Sequence, residues 1–433
     1  MNLKLHAWRL GGSTEYPALG IMGAILILAV SPFVSNYLCY GVLLICIYRM
    51  IRYDAAVFTT DYFFLMPMSP LFRTSGGMSL LIWLCLVAAI WFSVRGKLKG
   101  TGALVCVILL LNYLLVRMQS NISGFALCFG QMFMLMVLLP YQTSETAERA
   151  MRLFCWSLLA SSIYALVFRT APQIVSIRGP EVPAYAGSVF RRFSGIFGDP
   201  NYYTTLLLTG IAVLVKLREC KKIGVGQWVA MSASFAFLGI LTFSKAFLLV
   251  FALLILFYIV WQFRNGKWML ASVLTIATIL VGAIVFYANG AIVSAVIYRL
   301  LSANTFSELT TGRSDIYVEY WSVITESIGN FLLGLGLAAP MLSKETHNLY
   351  LEILYTTGLI GLVLIAAYYW SIMKLASSRA TNKRSFFSKY YVLLIVLVVY
   401  FSLHGMTSMV FYTCMFLALI AMRLEEKKEV QRV

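Results

Sequence analysis

Residues 246–263 read AFLLVFALLILFYIVWQF, a run of eighteen residues without a charged side chain. A helix of about 20 apolar residues crosses the roughly 30 Å hydrocarbon core of a bilayer. Similar runs recur along the chain, in which 61% of the 433 residues are hydrophobic and 12% are charged. Soluble domains are only about 45–50% apolar. The sequence therefore predicts an all-α polytopic membrane protein.

Fourteen apolar runs are long enough to be membrane-spanning helices, and we expect 12–14 such helices. The runs lie near residues 17–33, 36–50, 55–70, 78–94, 102–116, 123–140, 151–168, 201–216, 226–243, 246–263, 269–288, 349–373, 389–404 and 406–422. The third run is interrupted by Asp61, Pro67 and Pro70, and a re-entrant segment would have the same pattern.

The distribution of lysine and arginine predicts the orientation of the helices. An even number of spans puts both termini on one side, and positive residues concentrate in short cytoplasmic loops. With both termini in the cytoplasm, 24 of the 34 lysines and arginines face that side. A basic rim facing anionic lipid accounts for the net charge of +17 without a nucleic-acid partner.

The termini and cysteines fit an uncleaved membrane protein. The first apolar run follows Lys4 and Arg9 without a small-residue cleavage site, which predicts a retained anchor. Seven of the eight cysteines fall within predicted spans and the eighth, Cys220, falls in a cytoplasmic loop, so we expect no disulfide. The sequence contains no paired-cysteine zinc pattern and no phosphate-binding glycine loop.

Two of the outward connections are long, and long loops often carry function. The chain accordingly divides into N-terminal helices (1–168), a first outward loop (169–200), central helices (201–288), a second outward loop with an amphipathic helix (289–348), and C-terminal helices with a cytoplasmic tail (349–433).

The first outward loop ends in RFSGIFGDPN at residues 192–201. Asp199 and Pro200 are typical of a helix start, and the Asp-Pro-Asn string leads into the span at Asn201. Gly195 and Gly198 permit close approach of the backbone.

The second outward loop contains TGRSD at residues 311–315, followed by an amphipathic stretch at 316–328. We expect that stretch to be a helix on or across the outer membrane surface, capped by Ser314 or Asp315. Glycines at 329, 334 and 336 then break the helix before the chain reaches the next span.

Arg192 and Arg313 are outward arginines at the start of ordered segments. A guanidinium group stays charged and matches two phosphate oxygens at once, so this pair is typical of a diphosphate site. The alternative is contact with lipid headgroups or a salt bridge to Asp199, Asp315 or Glu319.

Four further outward arginines are more readily explained by such surface contacts: Arg169, Arg178, Arg191 and Arg299. Among them, Arg191 remains a candidate for substrate binding.

His347 is one of three histidines and lies at the expected start of a span, where the helix dipole favours a neutral imidazole. A neutral imidazole beside arginine-bound phosphate suits glycosyl transfer: histidine takes the proton of the acceptor hydroxyl while arginines stabilise the departing diphosphate. The alternative is a histidine that only caps the helix. Glu352, one turn further on, can orient His347, bind sugar hydroxyls or pair with an arginine.

Three other residues complete the candidates. Asn348 follows His347 and is a candidate for substrate binding, as is Asn201. Lys245 follows Ser244 at an outward junction, where it can bind phosphate or extend to the lipid headgroups. For His404, at another outward junction, we favour a structural role.

Three segments in this order resemble the O-antigen polymerase and O-antigen ligase superfamily. They are RFSGIFGDPN at 192–201, TGR at 311–313 followed by an aromatic-rich helix and GNFLLGLG at 329–336, and HNLYLE at 347–352 with Gly358 and Gly361. The resemblance covers roughly residues 190–365. Ser244-Lys245 stands where many members have serine-arginine, which puts a family role for Lys245 in doubt.

The resemblance implies a multi-pass protein of the bacterial inner membrane, similar to the type C class of membrane-embedded glycosyltransferases, with its active site facing the periplasm. Its donor would be an undecaprenyl-diphosphate-linked oligosaccharide, its transfer inverting, and no metal or cofactor would be needed. By position, Arg192 and Arg313 would bind the diphosphate and His347 would activate the acceptor. A chain-length regulator and a flippase of the same pathway would be partners, besides the lipid bilayer.

Two activities share these motifs. A polymerase joins lipid-linked repeat units, whereas a ligase transfers the finished chain to lipid A core. We favour a polymerase, because the chain outside the shared segment follows no common pattern and acceptor recognition is expected to vary. A flippase or transporter for lipid-linked sugars is the alternative of another class, but it would place charged residues along a transbilayer cavity, often with internal repeats.

Overall fold

The computed structural model describes residues 18–73, 79–95, 103–105, 107–109, 122–171, 178–183, 189–269, 272, 312–336, 339, 342, 344–377, 386–406 and 408–425. Most of the predicted spans 102–116 and 269–288 lies outside these residues, as does Arg299.

The described chain is a bundle of α-helices. In chain order they are α1 (Ala18–Val34), α2 (Leu38–Arg52), α3 (Ala55–Leu65), α4 (Leu80–Arg95), α5 (Ile122–Leu138), α6 (Ser144–Val167), α7 (Pro200–Glu219), α8 (Val225–Ile240), α9 (Lys245–Arg264), α10 (Arg313–Thr325), α11 (Ile328–Leu333), α12 (Leu349–Ser377), α13 (Phe386–Val399) and α14 (Met409–Ala421). Short 3-10 turns follow four of them, at Met66–Met68, Leu139–Tyr141, Tyr400–Ser402 and Met422–Glu425.

Length and composition mark several of these helices as membrane-spanning. Within the described residues, α6, α9 and α12 are long and apolar enough to cross a membrane, and six further apolar helices are shorter. The helices bury a continuous apolar core that includes α7 and α14 along most of their length. The helical membrane architecture thus agrees with the sequence, while the number of spans stays a prediction.

The first outward loop contains a β-hairpin that the sequence analysis did not predict. Strands β1 (Arg178–Pro183) and β2 (Val189–Phe193) pair antiparallel, with Val182 opposite Phe190. The backbone nitrogen of Phe193 then bonds to the carbonyl oxygen of Leu241, at 3.0 Å, which joins the hairpin to the end of α8.

Helix α3 contains an acidic residue that the sequence analysis treated as an interruption. The side chain of Asp61 binds Arg49 of α2 in a bidentate pair, with nitrogen to oxygen distances of 2.7 and 2.9 Å. Both side chains are buried, at 4% and 6% exposure. Paired charges with their hydrogen bonds satisfied can remain inside a bundle, so the carboxylate does not break the helix, which instead ends before Pro67.

The amphipathic stretch of the second outward loop forms two helices rather than one. Gly312, in the left-handed region at φ +77°, precedes the first residue of α10, so the predicted caps Ser314 and Asp315 are wrong and lie within the first turn. Ser327 caps α11 by accepting from the backbone nitrogen of Asn330. Helix α10 packs on α12 and does not merely lie on a membrane surface, because its apolar side buries Tyr320 against Tyr355.

Candidate functional site

The alternation of β2 sends its two arginines to opposite faces, as successive strand residues do. Arg191 is exposed and forms a 2.6 Å ion pair with Glu181 across the hairpin. Arg192 is only 7% exposed. The structure therefore places Arg191 on the outer surface of the hairpin and Arg192 in the bundle.

Arg192 is fixed where α7, α8 and α9 meet. Its Nε donates to the carbonyl oxygen of Thr242 at 2.8 Å, and its Nη2 donates to Oδ1 of Asn201 at 3.1 Å. The same Oδ1 accepts a hydrogen bond from Ser244 at 3.2 Å. Asn201 thus orients Arg192, and Lys245 is the next residue of this junction, where it begins α9.

The turn between Arg192 and Asn201 contains two glycines with positive φ, Gly195 and Gly198, a conformation that other residues rarely adopt. Gly195 has φ +57°, and a Cβ there would lie 2.7 Å from the Tyr203 ring. Asp199 caps α7 by accepting from the backbone nitrogen of Asn201 at 2.6 Å, and the helix begins at Pro200. The predicted helix start and the predicted close approach of the backbone are both confirmed.

Arg313 is the first residue of α10 and is half-buried. Among the described residues its guanidinium makes no hydrogen bond or ion pair. Burial lowers the pKa of Arg313, and the neighbouring Tyr317 and Asp199 oppose that shift. An arginine stays protonated under such a shift, so this is a positive charge without a close partner in the described part of the chain.

Tyr317 links Arg313 to the start of α12. The two residues are four apart and therefore share one face of α10. The Tyr317 hydroxyl bonds to the carbonyl oxygens of His347, at 3.3 Å, and of Phe401, at 3.1 Å. This face of α10 thus lies against His347.

His347 combines an unusual backbone conformation with a buried ring nitrogen. Its φ of +47° is unusual for a residue with a side chain and is typical of a constrained site. Its Nδ1 is buried and has no hydrogen-bond partner among the described residues. Burial lowers the pKa of His347, Arg313 and His404 lower it further, and Glu345 and Asp199 oppose them. The imidazole is therefore neutral near pH 7, as the sequence predicts, with burial as the main cause.

The side chains of Asn348 and Glu352, two candidates for substrate binding, accept hydrogen bonds from backbone nitrogens. Oδ1 of Asn348 accepts from the backbone nitrogens of Tyr350 and Leu351, at 3.0 and 3.1 Å, and so caps α12. The carboxylate of Glu352 accepts from the backbone nitrogens of Gly405, at 2.7 Å, and Met406, at 3.1 Å. Glu352 thus holds the chain segment next to His404, and within the described residues its carboxylate bonds neither His347 nor an arginine.

His404 lies in the site, although the sequence analysis favoured a structural role. Its ring centroid is 6.0 Å from that of His347. Its Nε2 lies 2.5 Å from the Tyr202 hydroxyl. Its Nδ1 lies 3.1 Å from Oε2 of Glu345, within ion-pair distance but without the alignment of a hydrogen bond. The sequence analysis did not select Glu345 or Tyr202 as site residues. For His404, the rarity of histidine in the chain and its outward position were the signals that could have indicated a place in the site.

A metal ligand set is also present by spacing. One ligand atom each of Glu345, His347 and His404 lie within 4.8 Å of one another. Histidine and carboxylate are ligands that zinc accepts. The Arg313 charge beside His347, however, repels a cation and attracts an anion. The Glu345 carboxylate belongs to the same cluster and attracts a cation, so charges of both signs meet beside His347.

The comparisons with known proteins agree with the motifs. A family model described as O-antigen ligase matches residues 230–366, about a third of the chain. The match includes Lys245, Arg313, His347 and Glu352, and it does not reach Arg192. No curated protein and no solved structure matches the chain.

Proposed function

We propose that this chain, which over residues 230–366 belongs to the O-antigen polymerase and ligase superfamily, is a polymerase of O-antigen or a related surface polysaccharide. It would transfer a glycan from undecaprenyl diphosphate to a sugar hydroxyl of another lipid-linked repeat unit. The acceptor oxygen bonds to the anomeric carbon, the bond to the diphosphate oxygen breaks, and its electron pair leaves with the diphosphate. The configuration at the anomeric carbon inverts.

One observation carries the proposal: the Arg313 guanidinium, which makes no hydrogen bond or ion pair within the described residues, lies beside a neutral imidazole. The charge of Arg313 lowers the pKa of His347, so the two groups interact. In the transfer, His347 accepts the proton of the acceptor hydroxyl, and Arg313 stabilises the negative charge that develops on the leaving diphosphate. These roles match general-base and electrostatic catalysis, and they need no metal ion.

Arg192 supports the same chemistry from the other outward loop. Its guanidinium is held by Thr242 and Asn201, and a preorganised charge stabilises a transition state better than a mobile one. We assign it to the diphosphate as well, with Lys245 at the same junction as a further phosphate contact. The site would face the periplasm of the inner membrane, where lipid-linked repeat units and a chain-length regulator meet the enzyme.

A ligase is the second candidate, because the matching family model is described as O-antigen ligase. The acceptor would then be lipid A core, with the same donor and the same base. A flippase fits less well. A transport path needs charges that line a cavity, whereas the charges of Arg49 and Asp61 are buried and bonded to each other.

The test is deletion of the gene followed by gel analysis of the surface glycan. A lost polymerase leaves one repeat unit on core, whereas a lost ligase leaves full-length chains on the lipid carrier. Complementation with His347→Ala should reproduce the deletion, because no base remains. The exposed Glu326→Gln variant is the matched control and should restore wild-type glycan. A His347→Ala strain with wild-type chain lengths would refute the proposed mechanism.

A further inference from the structure

His347 lies just before α12, and His404 lies in the segment between α13 and α14, yet their ring centroids are only 6.0 Å apart. One ring nitrogen of each, and a carboxylate oxygen of Glu345, lie within 4.8 Å of one another. Two hydrogen bonds of about 2.8 Å can meet on one oxygen atom when the two nitrogens are no farther apart than this limit. The two imidazoles therefore frame a position for a single hydroxyl group.

His404 is held in this position by several contacts. The Tyr202 hydroxyl lies 2.5 Å from its Nε2 and 3.1 Å from its carbonyl oxygen. Glu345 lies 3.1 Å from its Nδ1. The carboxylate of Glu352 binds the two backbone nitrogens that follow it. A side chain fixed in this way can orient a ligand at little cost in conformational entropy.

We propose that His404 binds the acceptor hydroxyl together with His347. His347 accepts the hydroxyl proton as the new glycosidic bond forms, while the Nδ1–H of His404, which makes no hydrogen bond within the described residues, donates to the same oxygen and aims it at the anomeric carbon. Glu345 is a positioning residue that sets the orientation of the His404 ring. His404 gains no proton in the step, so the proton balance of the transfer is unchanged. This inference rests on the proposed function.

A conservative substitution distinguishes hydrogen bonding by His404 from a purely structural role, because only in the first case does a residue that can hydrogen-bond restore glycan formation. Glutamine has a side-chain amide that can hydrogen-bond a hydroxyl, whereas alanine has none. His404→Ala should therefore lower glycan formation at least tenfold, and His404→Gln should recover a substantial part of it. Glu345→Gln keeps the size of the side chain and removes its charge, so we expect a several-fold loss.

The experiment compares these three variants with His347→Ala and with the control Glu326→Gln. Surface glycan is measured by gel in the deletion strain, and binding of undecaprenyl diphosphate is measured on each purified full-length protein. We expect His404→Ala to bind undecaprenyl diphosphate within twofold of wild type, because the acceptor side alone is changed. Loss at the acceptor step with normal donor binding supports the assignment.

Two outcomes overturn it. Wild-type glycan in His404→Ala, together with loss of glycan in His347→Ala, would show that the acceptor does not need His404. Equal loss of glycan and of undecaprenyl diphosphate binding in both His404→Ala and His404→Gln would assign His404 to the scaffold. A His347→Ala protein that still makes wild-type glycan is a different result, because it removes the proposed function itself.

Discussion

Gly334 and Gly358 are in direct contact, backbone against backbone. A Cβ at Gly358 would lie 2.5 Å from the nitrogen of Gly334 and 2.4 Å from the carbonyl oxygen of Leu332. Both glycines have a positive φ, at +67° and +63°. Gly358 interrupts α12, and this interruption lets the chain after α11 cross the helix.

The crossing is stabilised by two backbone hydrogen bonds. The nitrogens of Leu335 and Gly336 donate to the carbonyl oxygens of Tyr355 and Thr356, each at 2.8 Å. A break in a helix frees carbonyl groups that must be satisfied inside a protein, and the loop supplies the donors. The unit formed by α10 and α11 is thereby attached to the half of α12 that begins beside His347.

Gly358→Ala should prevent this crossing. At φ +63° and ψ −170° the backbone of position 358 is in a region essentially restricted to glycine, where alanine costs about 1–3 kcal/mol, and the clash with Leu332 adds to that cost. We expect a large loss of folded protein, measured as the monodisperse fraction in size-exclusion chromatography. Gly329→Ala is the control, because a Cβ there would meet nothing nearer than Ser327 Oγ at 3.6 Å. Equal yields of the two variants would contradict the structural role of the contact.

The local features of this protein could be predicted from its sequence. Apolar runs indicated the helical bundle, and Asp199 and Pro200 indicated the start of α7, because capping depends on adjacent residues. The β-hairpin could not be predicted, since its pairing depends on where the flanking helices place the loop. The same holds for the split between α10 and α11, where Ser327 acts as a second cap.

The site was predictable only in part, for a related reason. Arg313 and His347 belong to recognisable motifs, and the Tyr317 hydroxyl, one turn after Arg313, bonds to the carbonyl oxygen of His347. His404 reaches the site through contacts made by Tyr202 and Glu352, which lie far from it in sequence. Such contacts follow from helix packing, and no pattern in the single sequence specifies them.

The buried pair of Arg49 and Asp61 gives a stability prediction. Asp61→Asn leaves a buried guanidinium without its counter-charge, which typically costs about 3–5 kcal/mol. We expect a clear fall in the melting temperature of the detergent-solubilised protein, and partial recovery in the double variant Arg49→Met with Asp61→Leu. Glu145→Gln removes the charge from a pair whose carboxylate side chain is 72% exposed, so it should leave the melting temperature unchanged. A stable Asp61→Asn protein would show that the pair is dispensable.

Arg313 gives a prediction for donor binding. Arg313→Gln removes a positive charge that acts on His347, so binding of undecaprenyl diphosphate should weaken by about tenfold or more, in line with the 1.5–3 kcal/mol typical of a charged hydrogen bond. Arg313→Lys should recover part of the affinity, because it keeps the charge and loses the fork. Arg191→Gln is the matched control, since Arg191 is exposed and paired with Glu181. Equal affinities for wild type and Arg313→Gln would assign Arg313 to the scaffold.

The pH dependence of glycan formation tests His347 as the base. Its pKa lies below the ordinary 6.5, chiefly through burial. The neutral, active form therefore persists as the pH falls through 6.5, and activity in membrane vesicles that hold their own lipid-linked repeat units should be lost only at lower pH.

The charged and titratable groups around His347 predict the direction of further shifts. Arg313 and His404 lower its pKa, whereas Glu345 and Asp199 raise it. Glu345→Gln should consequently move the acid limb of activity to lower pH. Arg313→Gln should move that limb to higher pH, because the imidazolium then loses a repelling neighbour. The two variants are controls for each other, since a general loss of stability would shift the acid limb in the same direction in both variants. Parallel shifts, or an acid limb that neither variant moves, would exclude His347 as the group that titrates.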